Sequence, residues 1–287
     1  MKRLSALLPA LLLALLLTLL LAGCGTPLEE MEELTDMPAT QEAATTEDPV
    51  VRVTFPEGLT SVEIAQKLEE SGVCPAADFM EAVKNFDAVK DSYACLASVK
   101  NAGDRAFALE GYVFPDTYDF YRGESAANAL GRFLSNANRK LTDERAARAK
   151  ELGYTMDEIV TLASIIQEEA GDPNEMPKVA AVMHNRLNSP AYGKLQCDVT
   201  INYVNDRITD SPYLSGDTSV FAARYNTYKV EGLPVGAICC PGIDAIDAAL
   251  YPADTNDFFF VTDKDMNYYY AETYEQHLQN CKICGIG

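Results

Sequence analysis

Thr155-Met-Asp-Glu-Ile-Val-Thr-Leu-Ala-Ser-Ile-Ile-Gln-Glu-Glu-Ala-Gly171 reads as a helix with marked ends. Thr155 and Glu158 form a capping-box pair at its start, and Gly171 followed by Pro173 closes it. Leu162, Ile165 and Ile166 share one stripe at helical spacing, and Glu169 follows them at +7, +4 and +3. The carboxyl therefore falls on the apolar face, while Gln167 and Glu168 point to either side. Burying a carboxylate costs several kcal/mol unless it is paired or protonated, so its pKa should rise. A carboxylic acid held protonated near neutral pH is what general acid catalysis requires. A structural reading stands beside this one. Such a glutamate can also reach solvent past the last turn or pair with a buried arginine.

Outward from that helix, the N-terminus reads as targeting rather than fold. Lys2 and Arg3 precede a Leu/Ala-rich run, and Leu21-Ala22-Gly23-Cys24 is similar to a bacterial lipobox, with Cys24 as the lipidated residue. The apolar run is also long enough for an uncleaved transmembrane anchor. Either way, the expected location is the extracytoplasmic face of the cell membrane. Residues 25–49 carry eight acidic side chains and no basic one, the composition of a solvated, self-repelling linker. With a formal net charge of −20, the chain is a poor partner for nucleic acid or an anionic membrane surface. Seven cysteines follow Cys24: Cys74, Cys95, Cys197, Cys239, Cys240, Cys281 and Cys284. They read as disulfides or free thiols. Cys281-Lys-Ile-Cys284 also has metal-ligand spacing, for which Cys239-Cys240 is the obvious source of two more ligands. Only two histidines, His184 and His277, are present, which excludes a histidine-rich metal centre.

The expected fold class is α+β: a small LysM-like βαα module at 50–104, then a mixed α/β catalytic domain at 105–287. Val50-Val-Arg-Val-Thr-Phe55 alternates as a strand, Pro56-Glu57-Gly58 turns it, and helices start at Thr60/Ser61 and near Ala76. That module is either structural or glycan-binding. In the second domain, helices are expected at about 125–151, 156–170 and 175–188. A loop-rich stretch with short strands is expected at 190–240, then a short helix at Asp244–Tyr251. Phe258–Thr262 and Tyr268–Ala271 suggest a hairpin around Asp265–Asn267, and a final helix begins at Thr273. The tyrosine runs fit packing on a half-buried sheet or a sugar platform.

Several motifs occur in order: Leu109-Glu-Gly-Tyr-Val-Phe-Pro-Asp-Thr-Tyr118, Ala163-Ser-Ile-Ile-Gln-Glu-Glu-Ala-Gly171 and Val179-Ala-Ala-Val-Met-His-Asn-Arg-Leu187. Leu195-Gln-Cys-Asp-Val-Thr200, Tyr225-Asn-Thr-Tyr228, Gly232-Leu-Pro234 and Pro241-Gly242 follow. Together they resemble the MltG (YceG-like) family of endolytic murein transglycosylases, from about residue 50 to the C-terminus. The resemblance implies cleavage of the β-1,4 bond between N-acetylmuramic acid and N-acetylglucosamine within peptidoglycan strands, leaving 1,6-anhydromuramic ends. The family's catalytic glutamate falls on Glu169. Asn185, Gln196, Asp198, Thr200, Tyr203, Asn226 and Tyr228 are the polar positions within matching motifs, each either a substrate contact or a structural hydrogen bonder.

Three departures from the family pattern are visible: Gln167 for the first Glu of its Glu-x-Glu run, Cys197-Asp-Val-Thr200 for Ser-Asp-Pro-Thr, and Val235 for the second residue of Pro-Pro. The expectation is a working enzyme with altered loop stiffness. No cofactor is expected. Expected partners are glycan strands, peptidoglycan synthases and, through the N-terminal anchor, the membrane. Two rival readings are a non-catalytic peptidoglycan-binding scaffold lipoprotein and a hydrolase pairing Glu169 with Glu110.

Overall fold

In a computed structural model, which describes residues 48–286, the alternation ending in Val53 and Phe55 forms strand β1 (Val50–Phe55) with those two side chains buried. Cys24, the segment read as targeting and nearly all of the stretch read as an acidic linker lie outside the described residues. β1 pairs antiparallel with β2 (Asp116–Tyr121), Val53 opposite Tyr118 and Phe55 opposite Asp116. Between them run α1 (Ser61–Glu70) and α2 (Ala76–Lys84). The capping box at Thr60 and Glu63 starts α1 as expected. The partner of β1 thus comes from beyond residue 104. Phe133 of α3 (Ala126–Lys140) fixes this layer, with its ring 4.5 Å from Tyr118, 5.1 Å from Phe55 and 5.8 Å from Phe79. Such edge and tilted contacts each add about 0.5–1.5 kcal/mol beyond area burial.

The helix expected across 125–151 is two helices. α3 ends at Leu141, and Thr142 caps α4 (Asp143–Glu151), its Oγ1 accepting the Arg145 N–H at 3.3 Å. A start signal with Asp143 and Glu144 in the first turn outweighs the continuing periodicity. α5 (Met156–Glu169) carries the expected capping box at Thr155 and Glu158. It is buried on all sides from Ile159 to Ile166 rather than along one stripe, as befits a helix at the centre of a domain. α6 (Met176–Leu187) and α9 (Ile243–Leu250) pack against it. The buried Ser164 hydroxyl is satisfied: its Oγ donates to the Thr161 carbonyl at 2.7 Å and accepts the Ile238 N–H at 3.0 Å.

The stretch 190–240 is helical where short strands are expected. It contains α7 (Asp198–Asn202), a π-helical continuation Tyr203–Ile208 and α8 (Thr218–Tyr225). Among the described residues of this stretch, strand-like pairing is limited to a bridge between Lys194 and Gly232. Tertiary packing overrides the β-branched propensity of Val199, Thr200 and Ile201 here. β3 (Phe259–Thr262) and β4 (Tyr268–Ala271) form the expected hairpin. The Asp263 carboxylate accepts the N–H groups of Asp265 and Asn267 at 2.9 Å each and so holds the turn. α10 (Tyr274–Ile283) packs against both strands. The fold is therefore mixed α and β, with two small antiparallel sheets among many helices. No described helix is long and apolar enough to cross a membrane.

Gly111 is a tight backbone point, with φ +90°, where a Cβ would lie only 2.6 Å from Ala237 Cβ and 2.9 Å from Val160 Cγ1. Gly111→Ala combines a disfavoured dihedral with overpacking against α5. It should cost about 2–4 kcal/mol, read as a lowered urea midpoint. An unchanged midpoint would show that the segment shifts freely.

Candidate active site

Glu169 is the last residue of α5, and Ala170 turns to an extended conformation directly after it. Its two predecessors are tied down elsewhere. Gln167 Oε1 accepts the Gly242 N–H at 3.0 Å, and Glu168 pairs with Arg207 at 3.1 Å. Glu169 lines a cleft of about 460 Å³. Val182, Met183 and Arg186 of α6 form one wall, and Leu195–Val199 with Tyr228 form another. Phe259–Thr262 of β3 and Tyr274 and His277 of α10 close the third side.

Burial pushes the Glu169 pKa from 4.5 up to about 7. A hydrogen bond with the Cys197 side chain opposes the rise, and the charges of Asp198 and Glu168 add to it. The carboxyl is thus poised to hold its proton at neutrality and to release it cheaply. Burial, followed by the Glu169 charge, pushes the Cys197 thiol well above its ordinary range. Asp198 accepts the Tyr228 hydroxyl at 2.8 Å, and burial followed by that bond raises Tyr228 to about 12. Burial lowers His277, and the Arg186 charge lowers it further, so the imidazole is neutral near pH 7.

Of the polar positions singled out in the sequence, Gln196, Asp198 and Tyr228 line the cleft with Glu169. The others bond to the protein itself. Asn185 Nδ2 donates to the carbonyls of Thr255 and Asp257 at 2.9 Å each. Thr200 is fully buried, its hydroxyl donating to the Cys197 carbonyl at 2.8 Å and meeting Thr227 Oγ1 at 3.0 Å. Tyr203 donates to Glu110 at 3.0 Å, and Asn226 Oδ1 accepts the Tyr228 N–H at 2.9 Å. None of those four lines the cleft. Glu110 is fully buried away from the cleft. Its Oε1 accepts the Ser61 N–H at 2.8 Å and the Ser61 hydroxyl at 3.0 Å.

Sequence reasoning missed Arg186, Phe259, Tyr274 and His277. The last three arrive through the hairpin and α10, and no local pattern announces that arrival. Arg186 had a signal. It stands at +4 and +3 from Val182 and Met183, a charge on an apolar face like Glu169 on α5.

The cysteines after Cys24 are free thiols. Cys239 Sγ lies 3.4 Å from the Ser164 carbonyl and Cys240 Sγ 3.7 Å from Glu110 Oε1, while Cys281 and Cys284 sit at the end of α10. No group of three or more His, Cys, Asp or Glu side chains among the described residues could hold a metal ion. A thiol reagent at pH 8 should label Cys281 and Cys284 quickly and leave Cys74, Cys95, Cys197, Cys239 and Cys240 unmodified until denaturant is added, because all five are buried. Rapid native labelling of Cys197 would contradict the closed wall behind Glu169.

The scaffold thus holds a largely buried carboxyl of raised pKa in a polar and aromatic cleft. A model of the YceG-like family matches residues 28–283, and the chain belongs to that family. It is 27% identical over 250 residues to an endolytic murein transglycosylase of Streptococcus pneumoniae serotype 2 strain D39, covering 82% of this chain and 45% of that protein. It is 29% identical over 169 residues to one of Bacillus subtilis strain 168, covering 59% and 46%. The chain thus spans about half the length of the curated relatives it matches. The crystal structure of a YceG-like protein from Listeria monocytogenes superposes with a TM-score of 0.65 at 26% identity, covering 80% of this chain and 75% of that one.

Proposed function

We propose that this protein is an endolytic lytic transglycosylase of peptidoglycan, with Glu169 as its general acid and base. The observation that carries the reading is the Glu169 carboxyl, held near pKa 7 by burial at the floor of a cleft. The named relatives support the same class. Glu169 donates its proton to the glycosidic oxygen as the C1–O bond of N-acetylmuramic acid breaks. As carboxylate it then takes the proton of the same sugar's C6 hydroxyl, whose oxygen bonds to C1 and closes the 1,6-anhydro ring. An intramolecular nucleophile of that kind reaches effective molarities of about 10⁵ M or more, so no second enzyme carboxylate is needed. Asp198, oriented by Tyr228, supplies negative charge beside the developing oxocarbenium ion. Tyr228, Phe259 and Tyr274 supply apolar and aromatic faces for the sugar rings. We place the enzyme on the extracytoplasmic face of the membrane, held by residues 1–24.

A second reading follows from Asp198 itself, a carboxylate in the same cleft that could activate a water in a paired hydrolase. Mass spectrometry of purified glycan strands incubated with the protein separates these. Anhydromuramic ends support the transglycosylase and reducing ends the hydrolase. No cleavage by folded protein would favour a peptidoglycan-binding scaffold.

A further inference from the structure

Arg186 is the one permanently cationic side chain among the described residues that line the Glu169 cleft. In a chain with a formal net charge of −20, a guanidinium would be expected to find a carboxylate. Here no ion pair to a described residue engages it, although the other wall of the same cleft carries Asp198. Its Nη2 donates to the neutral Gln196 Oε1. Its Nε is buried and meets no acceptor among the described residues. The group is also held in place, 5.5 Å from the Phe259 ring centre and 5.9 Å from that of Tyr192. Burial lowers its pKa. An aromatic-braced, half-buried and uncompensated guanidinium in a ligand cleft matches a planar anion, because its fork of donors fits a carboxylate.

We propose that Arg186 is a specificity residue that recognises a free carboxylate carried by the glycan strand. This rests on the reading of the strand as substrate. Two sources offer that chemistry. One is the carboxylates of the peptide stem, and the other is the lactyl carboxylate of a muramic acid whose stem has been removed. Because the recognised carboxylate takes no part in the bonds that form and break, Arg186 acts on binding rather than on the proton transfers.

The test uses the full-length protein and three strand preparations: intact stems, stems with amidated carboxylates, and denuded strands. Dissociation constants are measured for Glu169→Gln protein, with and without Arg186→Gln or Arg186→Lys, and KM and kcat for the Arg186 single variants. Stem recognition predicts about 10- to 100-fold tighter binding of intact than of amidated strands, lost in Arg186→Gln and partly kept in Arg186→Lys. Lactyl recognition predicts the same dependence for denuded strands instead. In either case KM rises while kcat changes little. Equal binding of all three preparations by protein with Arg186 present, or an Arg186→Gln loss that is equal on all three, overturns the proposal and leaves a structural brace for Gln196. If no strand is cleaved yet carboxylate-dependent binding through Arg186 persists, the transglycosylase reading fails and the recognition role stands.

Discussion

Glu169→Gln should lower turnover on glycan strands by about 10²–10⁴-fold, the usual contribution of a positioned acid and base, while leaving the protein folded. Glutamine matches the shape and polarity of the neutral carboxylic acid but carries no proton to transfer. Its effect on stability has a definite sign. The folded-state pKa is raised from 4.5 to about 7, so between those values the folded state binds more protons than the unfolded one. Stability is therefore lost as pH rises through that window, and the penalty is complete above about pH 7. Its size is on the order of 2–3 kcal/mol after allowance for partial solvent contact. The substitution should raise the urea midpoint at pH 8 and change it little at pH 5. The wild-type rate should also fall as pH climbs past about 7, where the acid form empties. A variant that retains a tenth of the activity, or gains no stability at pH 8, would remove Glu169 from the role of buried acid.

Arg105→Ala should be among the most destabilising single changes, at about 3–5 kcal/mol, lowering the melting temperature by roughly 6–20 °C for a protein of this size. The Arg105 side chain is 1% exposed and pairs with Asp157 of the first turn of α5. Asp157 also accepts the Tyr112 hydroxyl at 2.8 Å, and its N–H donates to Ser98 Oγ at 3.1 Å. Arg105 itself bonds Asn101 Oδ1 through Nε and Nη2 at 3.0 and 2.7 Å. Removing the guanidinium leaves a largely desolvated carboxylate with a tyrosine as its side-chain partner. The double variant Arg105→Ala/Asp157→Asn should be more stable than the single one, because the uncompensated charge is gone. Identical melting curves for the two would place the loss in packing rather than in charge.

Helix ends were the most legible part of the sequence, since capping is a local matter. The boxes at Thr60 and Thr155 and the cap at Thr273 lie where the pattern of side chains puts them. The internal cap at Thr142 was equally local but masked by periodicity running through it. Residues 198–208 and 218–225 are helical where a loop-rich stretch with short strands is expected, because tertiary packing rather than a local pattern decides their conformation. Within the site, Glu169 was legible because a charge on an apolar helix face violates the pattern around it. Membership of a motif did not reveal exposure. Thr200 and Tyr203 turn into the core while Gln196 and Asp198 beside them face the cleft. His277 and Tyr274 reach it only through the docking of α10 on the hairpin, a long-range event with no local spelling.

The pairing of β1 with β2 also bears on how such a protein can be inherited. A gene segment encoding 50–104 would carry β1, α1 and α2 but leave behind the opposing strand and the Phe133 ring that Phe55 packs on. Ser61 would lose Glu110 as well. Recombination that joined this segment to another catalytic unit would deliver an open sheet edge and an unfilled apolar face, both invitations to aggregate. A crossover just after β2 fares no better, because Phe133 lies beyond it and Gly58 and Leu59 bond Cys240 through their backbones, so the N-terminal module and the cleft should descend together rather than be shuffled as separate beads.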